Sequence, residues 1–177
     1  PNRERTMSDT PLQINGVFPS LTARADMSRP RSEIGIGALM PWADRLWMVT
    51  YPSSRRGSGP GMGLLEVHND FTLHKNPASM VGTHANRLVH HDSDQLFIGC
   101  YAINTEGFVR PIPELSQVRL TATIPHLDDP ENKVYFLGME GEFFEVDVHS
   151  LAVTELCNVN DELGVTSIVV THDMTSA

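Results

Sequence analysis

The sequence predicts an all-β chain made of tandem four-stranded antiparallel units, and three observations carry that reading. First, three stretches nearly repeat one another: Asp44-Arg-Leu-Trp-Met-Val-Thr-Tyr51, Asp94-Gln-Leu-Phe-Ile-Gly-Cys-Tyr101 and Asn132-Lys-Val-Tyr-Phe-Leu-Gly-Met139. Each begins with Asp or Asn, then a long polar residue, an aliphatic, an aromatic and another large apolar residue. Self-similarity at intervals of about forty residues marks a repeat architecture. Second, Leu64-Leu-Glu-Val67 follows the first copy much as Phe143-Phe-Glu-Val146 follows the third. Third, residues 118–160 hold four apolar runs of about five to seven residues joined by short turns, the pattern of consecutive antiparallel strands.

Taken in order, residues 1–33 are polar and rich in Arg, Pro and Ser, with one short apolar patch, Ile14-Asn-Gly-Val-Phe18, and form a loose leader. The first unit, 34–80, offers a strand from Ile36 to Trp42, a turn at Ala43-Asp44 and a strand from Arg45 to Tyr51. Pro52 to Gly63 is a flexible loop by its Gly, Ser and Pro content. Strands then follow at Leu64–His68 and Phe71–Lys75, around a turn at Asn69-Asp70. The second unit, 84–115, runs through Asn86–His91, Gln95–Tyr101 and Phe108–Arg110, with turns at Asp92-Ser-Asp94 and Asn104–Gly107. The third unit, 118–160, has strands at Leu120–His126, Lys133–Met139, Phe143–Val148 and Val153–Val159. Within Lys133–Met139, Val134 and Phe136 occupy one face and Tyr135, Leu137 and Met139 the other. A strand apolar on both faces is expected between two packed sheets.

Units of four short strands in tandem resemble the blades of a β-propeller of the WD-repeat, kelch and quinoprotein type. The resemblance covers about residues 34–160. The Trp-Asp dipeptide and its Gly-His partner are absent, so it points to the broad architecture and to no subfamily. It implies about three blades of an incomplete propeller, since closure takes about four to eight. A compact sandwich is the alternative pairing of the same strands.

Composition narrows the function classes. The chain has 177 residues, 13 basic against 22 acidic, for a net charge of -9. That excess repels phosphate backbones and anionic lipid surfaces, so neither a nucleic acid nor a membrane is the expected partner. No apolar run approaches the ~20 residues of a spanning helix, so no membrane insertion is expected. Met7-Ser-Asp-Thr resembles an ordinary start, and with no basic-then-apolar leader the expected location is cytoplasmic. Two cysteines, Cys100 and Cys157, make no disulfide framework, and Cys100 lies in an apolar run as a small hydrophobe.

Residues 161–177 depart from the pattern and are expected to be foreign to the domain. Leu163-Gly-Val-Thr-Ser-Ile-Val-Val-Thr-His-Asp-Met174 resembles the switch-histidine segment of ABC-transporter ATPases, in which a strand ends in Thr-His-Asp. The resemblance implies a γ-phosphate contact at His172. No phosphate-cradling loop ending in Lys-Ser/Thr accompanies it, and neither lysine, Lys75 nor Lys133, stands in such a loop. The tail is therefore either a chance β-strand or a junction between two coding sequences, and it is the sole basis for reading the chain as a fragment of an ATP-binding subunit.

Eight histidines raise a metal hypothesis. His84, His90, His91 and His126 lie at or beside the first strands of the second and third units. His90 and His91 are adjacent, so on a strand they point to opposite faces and do not share one ion. Solvated or hydrogen-bonded histidines are the expectation, with no metal and no cofactor. Asp128, Asp129 and Glu131 fit turn chemistry around Pro130, and Glu145 and Asp147 share a solvated strand face. No Gly-x-Ser-x-Gly elbow is present, so no catalytic residue is assigned. What remains is binding. His84, Asn86 and Arg87 open an inner strand of the second unit, where channel-facing polar groups are expected. Trp42 stands before a turn as a stacking surface, and Tyr51 with Arg55-Arg56 borders the long loop. The expected function is a non-catalytic domain binding a protein or a small molecule such as a carbohydrate. The alternative is a propeller-type glycan-active hydrolase or lyase, with two carboxylates or three histidines converging in the channel.

Overall fold

A computed structural model of the chain describes residues 34–52, 63–70 and 72–158. The leader, Phe71, Arg55-Arg56, most of the Gly-rich loop and the tail with His172 lie outside the described residues. Among these residues, twelve strands form three four-stranded antiparallel sheets in tandem, in a propeller-like arrangement. The first sheet takes β1 (Ile34–Trp42), β2 (Arg45–Pro52), β3 (Leu64–Val67) and β4 (Leu73–Lys75). The second takes β5 (Arg87–His90), β6 (Gln95–Ile98), β7 (Tyr101–Asn104) and β8 (Val109–Pro111). The third takes β9 (Leu120–Pro125), β10 (Lys133–Gly138), β11 (Glu142–Asp147) and β12 (Val153–Asn158). In each sheet, hydrogen-bonded neighbours follow chain order.

The Asp that opens the first two repeats has a backbone reason. Asp44 and Asp94 have φ of 57° and 51°. Asp and Asn tolerate this left-handed conformation better than other side-chain-bearing residues. Ala43 shares it at 49°, so Ala43-Asp44 makes a two-residue turn whose twist suits the β1–β2 hairpin. Both central strands that follow, β2 and β6, then start in the same register against their inner strands, with Trp42 opposite Arg45 and His90 opposite Gln95.

The three first strands lie side by side. β5 sits beside both β1 and β9, His84 makes a parallel bridge to Leu120, and the Ala85 amide donates to the Leu120 carbonyl at 2.8 Å. β1 approaches from the other side, where its bulge between Ile36 and Ala38 places Gly37 against the His84 carbonyl. A Cβ at residue 37 would overlap that oxygen. Glycine there is a condition of the close approach between the first two sheets.

Packing between the sheets follows the repeat. Trp47 and Val49 of β2 belong to the main core, whereas Leu46 and Met48 turn to the opposite face with Leu65 and Val67. Phe97 holds the repeat position of Trp47 and meets Phe136 of the third sheet edge to face, with centroids 6.0 Å apart. Thus the aromatic at this position points toward the next sheet, and β6 is buried at every residue. The third sheet differs from the sequence expectation. Val134 and Phe136 are buried, but Tyr135 is only half-buried and Leu137 and Met139 are exposed. The apolar character of Lys133–Met139 is two-sided, yet only β6 has described sheets on both sides.

Polar groups also bracket the sheets. Gln95 donates to the Val148 carbonyl at 3.0 Å, Arg110 donates to the His149 carbonyl at 2.7 Å, and His90 Nε2 donates to the Pro130 carbonyl at 2.6 Å. No helix among the described residues is long and apolar enough to cross a membrane.

Candidate functional site

The sequence-nominated residues fall at two ends of the inner strands. Trp42 closes β1 at the end away from Gly37. Its indole N–H donates to the carbonyls of Ile103 and Asn104, at 3.0 and 2.8 Å, so it ties the first sheet to the second. Trp47 in turn donates to the Trp42 carbonyl at 2.9 Å. Replacing Trp42 by Phe keeps an aromatic ring but removes the N–H that braces the two sheets, while the Asn104 carbonyl keeps the Gly107 amide at 3.0 Å. It is expected to cost about 1–2 kcal/mol, read as a thermal midpoint lower by several degrees. An unchanged midpoint would leave Trp42 without this bracing role.

His84, Asn86 and Arg87 lie at the other end, where β5 and β9 begin. Asn86 is 1% exposed, and its Nδ2 donates to the Gly99 carbonyl at 2.9 Å and to Thr123 Oγ1 at 2.7 Å. It therefore joins the second sheet to the third, while its Oδ1 has no partner among the described residues. His84 is equally buried, enclosed by Gly82 and Gly99, and its Nε2 has no partner at hydrogen-bonding geometry. Burial pushes its pKa down to about 4, partly offset by the main-chain carbonyls of Ser116 and Leu115. The ring is neutral at pH 7. Arg87 is exposed at the start of β5.

The same end carries a chain of polar side chains that the sequence did not single out as a group. Arg119, just before β9, donates from Nη2 to the Tyr51 hydroxyl at 3.0 Å and from Nη1 to Glu140 at 3.0 Å. It links the end of the first sheet's β2 to the β10–β11 turn. Tyr51 also reaches Met139 Sδ at 3.8 Å. Arg119 Nε and Glu142 Oε2 are buried without a partner among the described residues, and Glu142 is tucked against Gly138 and Val118. Only Tyr51 of this group bordered a feature visible in the sequence, the long loop. Arg119 and Glu140 carried one usable signal, namely that each flanks a third-unit strand at the end where the inner strands start.

Buried polar atoms are nearly always paired. Here Asn86 Oδ1, Arg119 Nε and Glu142 Oε2 have no partner among the described residues, and all three belong to one end of the fold, beside the His84 ring that the Ser116 and Leu115 carbonyls face. The set mixes donors with acceptors. Formal charges balance, with Arg87 and Arg119 against Glu140 and Glu142. A phosphate or a free cation is poorly matched by such a set, whereas hydroxyl groups, which donate and accept at once, suit it.

The remaining nominated groups are placed elsewhere. His90 is buried and bonded to Ser93 and Pro130, and His91 is exposed. His126 accepts the amides of Asp128 and Asp129 on Nδ1, at 3.1 and 3.0 Å, which puts its proton on Nε2 facing Glu145 at 2.9 Å. Lys133 holds the other oxygen of Glu145 at 2.8 Å and, with His126, keeps that carboxyl below its ordinary pKa. Among the described residues no three His, Cys, Asp or Glu side chains converge as metal ligands. Cys100 is buried, which pushes its thiol up to about 12 and leaves it a poor nucleophile.

No protein-family model matches the chain, and a search of the curated proteins finds no significant match.

Proposed function

We propose that the chain is a non-catalytic ligand-binding domain of the propeller type, taking a neutral polyhydroxylated ligand such as a carbohydrate at the end where the three inner strands begin. The supporting observation is the gathering there of buried donors and acceptors without a partner among the described residues: Asn86 Oδ1, Arg119 Nε and Glu142 Oε2. Hydroxyls of a bound sugar would complete their hydrogen bonds, which in a buried setting are worth about 1–3 kcal/mol each against leaving them unmade. Tyr51 and Met139 add apolar surface at the rim.

The test is a thermal-shift screen with neutral mono- and oligosaccharides, run on the wild type and on the Arg119→Met and Glu142→Gln variants. At least one saccharide is expected to raise the wild-type midpoint by several degrees and to leave both variants unmoved. Equal shifts in all three proteins, or none in the wild type, would refute the proposal. Release of new reducing ends from an oligosaccharide, lost in Glu142→Gln, would replace binding by hydrolysis.

A further inference from the structure

Gly138 is small at a place where the fold itself does not ask for glycine. It ends β10 opposite Leu120, and its φ lies outside the left-handed region that favours glycine. The repeat shows what the backbone accepts here. Thr50 holds the same place in the first copy, and Gly63, just before β3, holds the place of Glu142 at the start of β11. Thr50 is buried, and its Oγ1 accepts the Gly63 amide at 2.7 Å. A side chain therefore fits this position when the facing strand brings a glycine.

In the third sheet the two sizes are exchanged. The Glu142 carboxyl takes the space that a Cβ on residue 138 would fill. Its Oε2 would overlap that atom, with Glu142 Cδ 3.0 Å and Val118 Cγ1 2.9 Å away. Oε2 is buried there without a partner among the described residues. Enclosing a carboxyl oxygen without a hydrogen bond opposes folding, so the stability of the sheet does not account for the notch. A ligand that completes the bond does.

We propose, on the binding reading above, that Gly138 is a positioning residue of the carbohydrate site. Its missing side chain opens the notch that seats Glu142 Oε2 as the acceptor for one ligand hydroxyl. The carboxyl is the far end of a flexible side chain, so a methyl group at residue 138 displaces it rather than the backbone. Val118 gives by a few tenths of an ångström, and alanine loses less backbone entropy on folding than glycine. Gly138→Ala thus moves the acceptor at little cost to the fold.

The test uses the full chain, isotope-labelled at the glutamate carboxyl carbons, with the Glu142 signal identified by its absence from Glu142→Gln. In Gly138→Ala that signal is expected to move to the position of the solvent-exposed glutamates, while the unfolding midpoint changes by no more than about two degrees. The saccharide with the largest thermal shift is expected to bind Gly138→Ala about tenfold more weakly or worse. It should bind the Gly138→Ala/Glu142→Gln double variant no more weakly than Glu142→Gln alone. A Glu142 signal unmoved by the alanine, or a loss of affinity that adds to that of Glu142→Gln, would overturn the proposal. So would a midpoint lowered by about ten degrees or more, which would make glycine a requirement of the fold. A wild type that binds no saccharide, with the carboxyl signal still moved by the alanine, would refute the carbohydrate reading and leave Gly138 as the residue that seats Glu142.

Discussion

Phe97→Ala is expected to destabilise the chain by about 3–5 kcal/mol, the usual cost of emptying a fully buried aromatic site. Phe97 is 0% exposed and fills the junction between the second and third sheets, edge to face with Phe136. Whole domains are stable by only about 5–15 kcal/mol, so this one substitution removes a large share. The informative comparison is Tyr135→Ala, at the same position of the next repeat but on the open face. Tyr135 keeps contacts with His126 and Phe143, which makes its loss worth about 1 kcal/mol. Urea unfolding at low micromolar concentration compares the two directly. Similar losses at both positions would contradict the placement of the second sheet between two others.

Acid is expected to weaken the fold earlier than its carboxylates alone would. His84 is neutral in the folded chain, with a pKa of about 4 against 6.5 when unfolded. As pH falls, the unfolded chain takes up the proton first. The contribution is therefore fully present above about pH 6.5 and is lost as pH drops toward 4. The gap corresponds to about 3 kcal/mol. Glu145 and Asp147 also sit below their ordinary values, held respectively by Lys133 and His126 and by the Ser150 and His149 amides. Those exposed groups act lower, in the carboxylate range, and their effect is damped by solvent. Urea midpoints measured between pH 7.5 and 4.5 should fall steadily for the wild type and stay nearly flat for His84→Gln. An equal slope in the variant would assign the acid sensitivity to other groups.

Much of the fold was legible because the repeat records backbone constraints. Asp44 and Asp94 mark left-handed turn positions, and the run after each is a central strand. The alternation of Leu46 and Met48 against Trp47 and Val49 separates two faces that the structure buries in different clusters. What a face meets was less legible. The same two-sided apolar pattern occurs in β6, which is packed on both sides, and in β10, which is open on one, because a strand's own residues specify that a face is sticky and not which sheet lies over it.

The candidate site was legible only in part, for a similar reason. Position at the start of an inner strand was enough to nominate His84, Asn86 and Arg87. The sequence gives no sign that Asn86 spends both amide protons between sheets, or that Arg119 joins Tyr51 to Glu140 across 68 and 21 residues of chain. Each of these is an ordinary polar residue next to a turn. Their convergence is produced by the stacking of separate sheets, which no local pattern encodes. Trp42 shows the converse case, since a tryptophan beside a turn suits ligand stacking or bracing equally until the two carbonyls under its N–H are located.

The most direct measurement of the binding account is an amide-resolved NMR titration of the chain with the saccharide that gives the largest thermal shift. Perturbations are predicted at residues 83–87, 117–121 and 138–142, where the unpartnered polar groups lie, with the amides around Trp42 and Asn104 unmoved. Shifts centred on Trp42 and Asn104, or confined to the outer face of the third sheet, would contradict it.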